Sequence, residues 1–539
     1  MTDSGAELMV KTLAAHECSH VFGNPGTTEL PFIREITESE ISYITCLHEA
    51  VAMGAAAGYA IRARQCGVDR PFAVANVHTT PGVAHALGNL YGASFGRVPV
   101  ILTAGCQELR HERRHPPLSG DRLSLVNDFV SYAKRIDSPD QMAISLADAI
   151  HSALTPPLGP AYLEFSIHAQ EERTEASVPT VGTIPDVPSP RWDNIEQVRS
   201  RLADESVTIV VGTELAQAGS DAIRATVALA DQLDAAVISE PLNAELAFPT
   251  SHERWRGMMP LDPEDAQAWL DTSLIVFIGC TNPEPLLDYD GQLWPRDATT
   301  IWIGAHEELI PATHAFSVTL SGALTESLQI LSQTNGQSVI ADGGQMRPPQ
   351  GIRPIDDRSA QNQIVDSLSD AASEAVIVDE GVTTGFLLRN EGVIHPGRYI
   401  SNNSGGLGYG LPAAVGAAIA EGTVSPTPRP VVGLIGDGAY QYYPQSLYTA
   451  ANHVTSSLTI VVPDNRGYGI LREHDLVDED THDDKPLTFD ERTSIGANAR
   501  SYGIDAWDVT DLSDLGSVLE TAIAAEGTDV VVVDITNAG

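Results

Sequence analysis

The chain has 539 residues, room for about three domains each with its own core, and a net charge of −41 from 72 acidic and 31 basic side chains. Its only lysines are Lys11, Lys134 and Lys485, and no basic stripe exists that would hold nucleic acid against such a field. No acidic block is long enough to form a tail, so the charge points to a surface adapted to molar salt, where repulsion is screened, and predicts a halophile.

Met1 to Val10 contains Asp3 and Glu7 and lacks a basic-then-apolar leader, and no apolar run reaches membrane length, so a cytoplasmic protein without a membrane partner is expected. The run Ile41 to Leu47 reads as a strand, and Glu49 then opens a helix of small residues, Ala50 to Ala60. At a helix start, Glu49 suits the dipole whatever else it does. Phe72 to Val77 reads as the next strand, with His78 just beyond it, before Pro81 and Gly82 force a turn. A further strand is expected at Val98 to Thr103, followed by a cationic run, Arg110-His111-Glu112-Arg113-Arg114-His115. Gln170 to Trp192 and Gln333 to Asp357 are poor in regular-structure formers and read as linkers. Between them, Val207 to Gly212 and Leu274 to Gly279 repeat the strand signal, and Ala375 to Val378 restarts it after the second linker. The expected fold class is α/β: three doubly wound, mostly parallel-sheet domains over 1–170, 192–333 and 358–539. Cys18, Cys46, Cys66, Cys106 and Cys280 are odd in number and lack CxxC pairs, suggesting neither a disulfide framework nor a zinc site.

The most informative signal lies near the end. Gly436-Asp437-Gly438 closes the apolar run Val431 to Ile435, and Asn465, separated from it by 26 residues, closes a second run, Leu458 to Val462. Leu447, Ala450, Ala451 and Val454 lie between them on one helical face. Strand, helix and parallel strand bring both strand ends to one carboxyl edge, where Asp437 and Asn465 can meet. A carboxylate and an amide oxygen suit Mg²⁺, and Gly438 and Gly467 allow a diphosphate to approach the backbone. The triplet alone also suits a plain turn; its spacing to Asn465 favours a metal-diphosphate clamp.

That pattern resembles the signature of thiamin-diphosphate-dependent enzymes. Three other stretches extend the resemblance over nearly the whole chain. Gly23-Asn24-Pro25-Gly26-Thr27-Thr28-Glu29-Leu30-Pro31-Phe32 is similar to the opening loop of 2-oxo acid decarboxylases, Leu47-His48-Glu49-Ala50 to their cofactor-activating glutamate, and Ser404-Gly405-Gly406-Leu407-Gly408-Tyr409-Gly410-Leu411-Pro412-Ala413-Ala414 to the loop and helix that hold the aminopyrimidine. The likeness is greatest to benzoylformate decarboxylases, and acetolactate synthase large subunits are related. The resemblance implies thiamin diphosphate and Mg²⁺ as cofactors, held by metal ligands Asp437, Asn465 and Gly467 and by Thr383, Gly406, Leu407, Gly436, Gly438, Ala439 and Tyr468. Glu49 would activate the aminopyrimidine, Leu407 would bend the cofactor, His78 would move protons, and Thr27 would bind the substrate carboxylate. The implied reaction adds the thiamin ylid to the ketone carbon of a 2-oxo acid, with loss of CO₂, protonation and aldehyde release. Self-association as a dimer or tetramer is implied, because in this family different subunits complete one site.

Departures bear on the substrate. Benzoylformate decarboxylases carry a second histidine in the middle domain, but Gly279 to Tyr289 contains none, and Leu286 stands near its place. The Arg110 to His115 run reads first as a surface or subunit contact, and second as an anion-recognition element or a replacement for that histidine. Acetolactate-synthase-like joining of two 2-oxo acids is an alternative, opposed by His78. A non-catalytic, cofactor-binding regulatory subunit is another, opposed by the retention of Glu49 with both metal ligands.

Overall fold

A computed structural model describes residues 2–202, 207–310, 314–332, 359–473, 487–489 and 492–536. The second expected linker, Gln333 to Asp357, lies outside the described residues. Three parallel sheets carry the chain, each ordered around a crossover. In the first, the strands run in the order Ser42–Thr45, His20–Asn24, Ala73–His78, Val100–Cys106, Ala161–Ser166 and Tyr132–Ile136. The second orders Trp255–Met258, Ala236–Ser239, Val207–Val211, Leu274–Ile278, Thr299–Gly304 and Val318–Ser321. The third includes, in order, Val376–Glu380, Val431–Ile435, Ser457–Asp464, Gly527–Asp534 and Asp505–Val509. The central strands read as unbroken apolar runs because helices cover both faces of a parallel sheet, as Val431–Ile435 and Leu274–Ile278, buried throughout, illustrate.

Two compact units result. The first comprises Met1–Pro185, Glu374–Gly381 and Asn402–Asn537; the second is built mainly from Asp186–Ser373 and Val382–Ser401. In the second unit, Val210, Ile238, Phe277 and Trp302 form the centre of the core. Glu240, just past a strand end, accepts backbone N–H bonds from Thr213, Thr281 and Asn282, and burial pushes its carboxyl up to about 7 against those donors. The first expected linker is partly ordered: Ile167–Glu171 is helical, and Arg173–Thr174 pairs antiparallel with Asp3–Ser4.

In the first unit the helices Glu49–Gln65 and Gly410–Thr423 pack so closely that each uses a glycine to admit the other's backbone. A Cβ at Gly58 would sit 2.1 Å from the Ala413 carbonyl oxygen, and one at Gly416 would sit 1.9 Å from that of Ala55. The buried ion pair of Arg62 with Glu421 spans the same helices further along. Gly54 meets Pro412 near one end and Arg62 meets Glu421 at the other, so both helix starts lie at the same end. The Asn89 side-chain amide joins those starts, donating to the Ala50 carbonyl at 2.7 Å and the Gly408 carbonyl at 3.4 Å.

Candidate active site

Val431–Ile435 and Ser457–Asp464 are adjacent parallel strands, and their carboxyl ends bring Asp437 and Asn465 together. One backbone N–H, that of Gly467, points at both: it donates to Asp437 Oδ2 at 2.9 Å and to Asn465 Oδ1 at 3.0 Å. Asp437 Oδ1 accepts from the Gly438 N–H at 2.8 Å. Burial pushes the Asp437 carboxyl up to about 7; the Gly467 N–H opposes this and the charge of Asp464 adds to it. Two neighbouring acids and an amide oxygen, one acid buried, form a hard donor set whose charge a small divalent cation would neutralise, so these residues fit such an ion. The glycines make the room. A Cβ at Gly438 would press the Tyr468 ring at 2.9 Å, and one at Gly469 would strike the Asn465 amide at 2.5 Å. Gly436 precedes the helix Asp437–Tyr442, in which Ala439 is buried, and Tyr468 packs edge-on against Phe489.

The loop before Gly410–Thr423 is held by Glu380, the last residue of the strand Val376–Glu380, and both its oxygens are engaged. Oε1 accepts from the Asn402 amide and from the Gly408 and Tyr409 N–H groups, and Oε2 accepts from the Gly410 N–H. Burial pushes its carboxyl up to about 7 against those four donors. Glu380 therefore shapes the loop that presents Gly406, which is exposed, and Leu407, which is half-buried. Asn402 also donates to the Gly406 carbonyl at 2.6 Å. Thr383 opens the helix Thr383–Glu391 in the second unit, directly after Val382 at φ 49°.

Glu49 is the first residue of its helix and is largely buried, with His48 capping the helix by accepting from the Ala50 N–H at 3.1 Å. Its Oε2 lies 3.0 Å from His85 Nδ1. Gly82 leaves its other oxygen space, since a Cβ there would approach Oε1 to 3.3 Å. His48, Glu49 and His85 offer ligand atoms that all lie within 4.8 Å of one another. The His48 ring stacks on His85 at 5.1 Å and meets Tyr443 at 5.0 Å.

His78 is the last residue of its strand rather than the first beyond it, paired with Gly105. Its Nδ1 is 2.8 Å from Glu29 Oε2 and 3.1 Å from Thr28 Oγ1. The hydrogen bond to Glu29 raises the His78 pKa, partly offset by burial. Glu29 is itself fixed, accepting from the Gly26 N–H at 2.9 Å, the Gly105 N–H at 2.6 Å and the Thr28 hydroxyl at 2.9 Å. Gly26 is needed because a Cβ there would fall 2.3 Å from the His78 ring. Sequence reasoning missed Glu29; its neighbour Thr27, predicted to contact substrate, is exposed, and Thr28 is the one that turns inward. The Arg110 to His115 run is exposed except for Glu112, which pairs inward with Arg122 at 2.8 Å and with Arg135. Leu286 is 63% exposed.

Residues 3–125 match the family described as thiamine pyrophosphate enzyme, N-terminal TPP binding domain, and residues 379–535 match its C-terminal TPP binding domain. The chain is 28% identical over 536 residues to a benzoylformate decarboxylase of Pseudomonas aeruginosa, covering 95% of each. It is 24% identical to the acetolactate synthase isozyme 2 large subunit of Escherichia coli, over 97% of this chain and 94% of that one. The crystal structure of benzoylformate decarboxylase from Polynucleobacter necessarius superposes with a TM-score of 0.85 at 26% identity, over 99% of this chain and 98% of that one. With three parallel α/β sheets and both binding domains in place, the chain belongs to the thiamine pyrophosphate enzymes.

Proposed function

We propose that the protein is a Mg²⁺- and thiamin-diphosphate-dependent decarboxylase that converts a 2-oxo acid of the benzoylformate type to an aldehyde and CO₂. The observation that carries this reading is the histidine at the end of Ala73–His78, held by buried Glu29 so that its charged form is favoured and a proton is ready for donation. Likeness to benzoylformate decarboxylases along the whole chain supports it. When bound, the cofactor supplies the carbon nucleophile and the electron sink for CO₂ loss. Asp437, Asn465 and the Gly467 carbonyl would hold Mg²⁺, and Gly436, Gly438, Ala439 and Tyr468 would line the diphosphate side of the cofactor. Gly406 and Leu407 support the aminopyrimidine side. Glu49 would hold a proton for that ring, Thr27 would bind the substrate carboxylate, and His78 would deliver the proton that completes the aldehyde. The active form is a dimer or tetramer in which neighbouring subunits complete each site.

Likeness to acetolactate synthase large subunits favours a second reading, joining of two 2-oxo acids, and the lack of a histidine from Gly279 to Tyr289 keeps the acceptor open. The test is CO₂ release from aryl, branched, small aliphatic and dicarboxylic 2-oxo acids, in concentrated KCl with cofactor and Mg²⁺, followed by product identification. An aldehyde formed in step with CO₂ supports decarboxylation; a 2-hydroxy-2-methyl-3-oxo acid from pyruvate instead establishes carboligation.

A further inference from the structure

Glu49 lies largely out of solvent, so a proton placed on its carboxyl needs a path to water. Among the described residues, one titratable ring is hydrogen-bonded to that carboxyl and is open to solvent in the single chain: His85 Nδ1 is 3.0 Å from Glu49 Oε2, and the His85 side chain is 53% exposed. His85 lies in the helix Thr79–Phe95, two turns after the start that His78 precedes, while Glu49 begins the helix that packs against it.

We propose that His85 is a positioning residue that relays protons between Glu49 and solvent. In the outward direction the proton on Glu49 Oε2 passes to His85 Nδ1 as the proton on Nε2 leaves to water, so the ring changes tautomer and no net charge remains on it. In the inward direction Nε2 takes a proton from water as Nδ1 returns one to Glu49, which restores the first tautomer. Each cycle moves one proton out and one in, and needs no other reactant.

His48 keeps the ring in place. It is pinned by the Ala50 N–H and stacks on His85 with an interplanar angle of 26°. Burial lowers the His48 pKa, and its Nδ1 accepts from the Ala50 N–H, so a second positive charge beside His85 is disfavoured.

The inference rests on Glu49 acting as proposed above, and the experiment separates the two. Proton–deuterium exchange at C2 of the bound cofactor is measured without substrate in wild-type protein and in Glu49→Gln, His85→Gln and His85→Phe variants. Both His85 variants are expected to slow exchange about tenfold or more, with added imidazole restoring much of the rate to His85→Phe. His85→Gln is the decisive variant, because it keeps a donor to Glu49 but cannot shuttle: wild-type exchange in it, beside slow exchange in Glu49→Gln, overturns the relay alone. Wild-type exchange in Glu49→Gln overturns the reading of Glu49 and the relay with it. In histidine-labelled protein without cofactor, Glu49→Gln should also move the Nδ1 resonance of His85; an unmoved resonance contradicts the contact.

Discussion

At the scale of single residues, the site depends on carboxylates whose partners lie far away in sequence. Glu29 meets His78 and Gly105, and Glu380 meets the loop from Asn402 to Gly410. Glu29 sets the working range of His78. Because its bond raises the His78 pKa, the pair contributes stability that is full below the unfolded value of about 6.5 and is lost as pH rises through the folded value. Glu29→Gln removes the charge, so the alkaline limb of the pH–rate profile should move to lower pH, and an unmoved limb would show that Glu29 does not tune His78. The positions of Asp437, Asn465, Glu49 and His78 in the fold were legible from sequence because each stands at the end of an apolar run, the edge where parallel sheets place chemistry. Glu29, Glu380 and His85 were not. A carboxylate that accepts backbone N–H groups from a distant loop leaves no periodicity, and only the fold reveals that Thr28, not Thr27, turns inward.

At the scale of elements, the helices Glu49–Gln65 and Gly410–Thr423 fix the starts of two functional segments by backbone contact. Their alanine-rich composition marked them as buried, but which glycine faces a carbonyl could not be read, since the partner lies some hundreds of residues away. Gly58→Ala should cost about 1–3 kcal/mol through overpacking, although alanine is the better helix former, because the carbonyl at 2.1 Å is backbone and cannot rotate aside. Gly88→Ala is the control. It lies in the exposed face of Thr79–Phe95 with nothing within 4 Å of its Cβ, so it should gain up to about 1 kcal/mol. Equal melting temperatures for the two variants would contradict the close packing. The strand boundaries moved by one to three residues from expectation, as with Val100–Cys106 for the run Val98 to Thr103, because the ladder and not hydrophobicity ends a strand. The antiparallel pair of Arg173–Thr174 with Asp3–Ser4 was hidden because two-residue strands carry no pattern.

For the whole molecule, three successive strand–helix alternations made the α/β architecture legible, and the net charge of −41 predicts a strong response to salt. In dilute buffer the carboxylates repel over roughly 30 Å at 0.01 M salt, a range cut to about 3 Å at 1 M. Melting temperature and activity should therefore rise steeply with KCl, and full stability in dilute buffer would contradict the halophile reading. The most direct test of the account concerns the two oxygen donors that share the Gly467 N–H. Thiamin diphosphate binding is measured by calorimetry in concentrated KCl, with and without Mg²⁺, for wild-type protein and Asp437→Ala. Wild-type binding should require Mg²⁺ and the variant should weaken it by about 100-fold or more, since even indirect metal contacts are worth 10–100-fold. Metal-independent binding, or undiminished affinity in Asp437→Ala, would contradict the clamp.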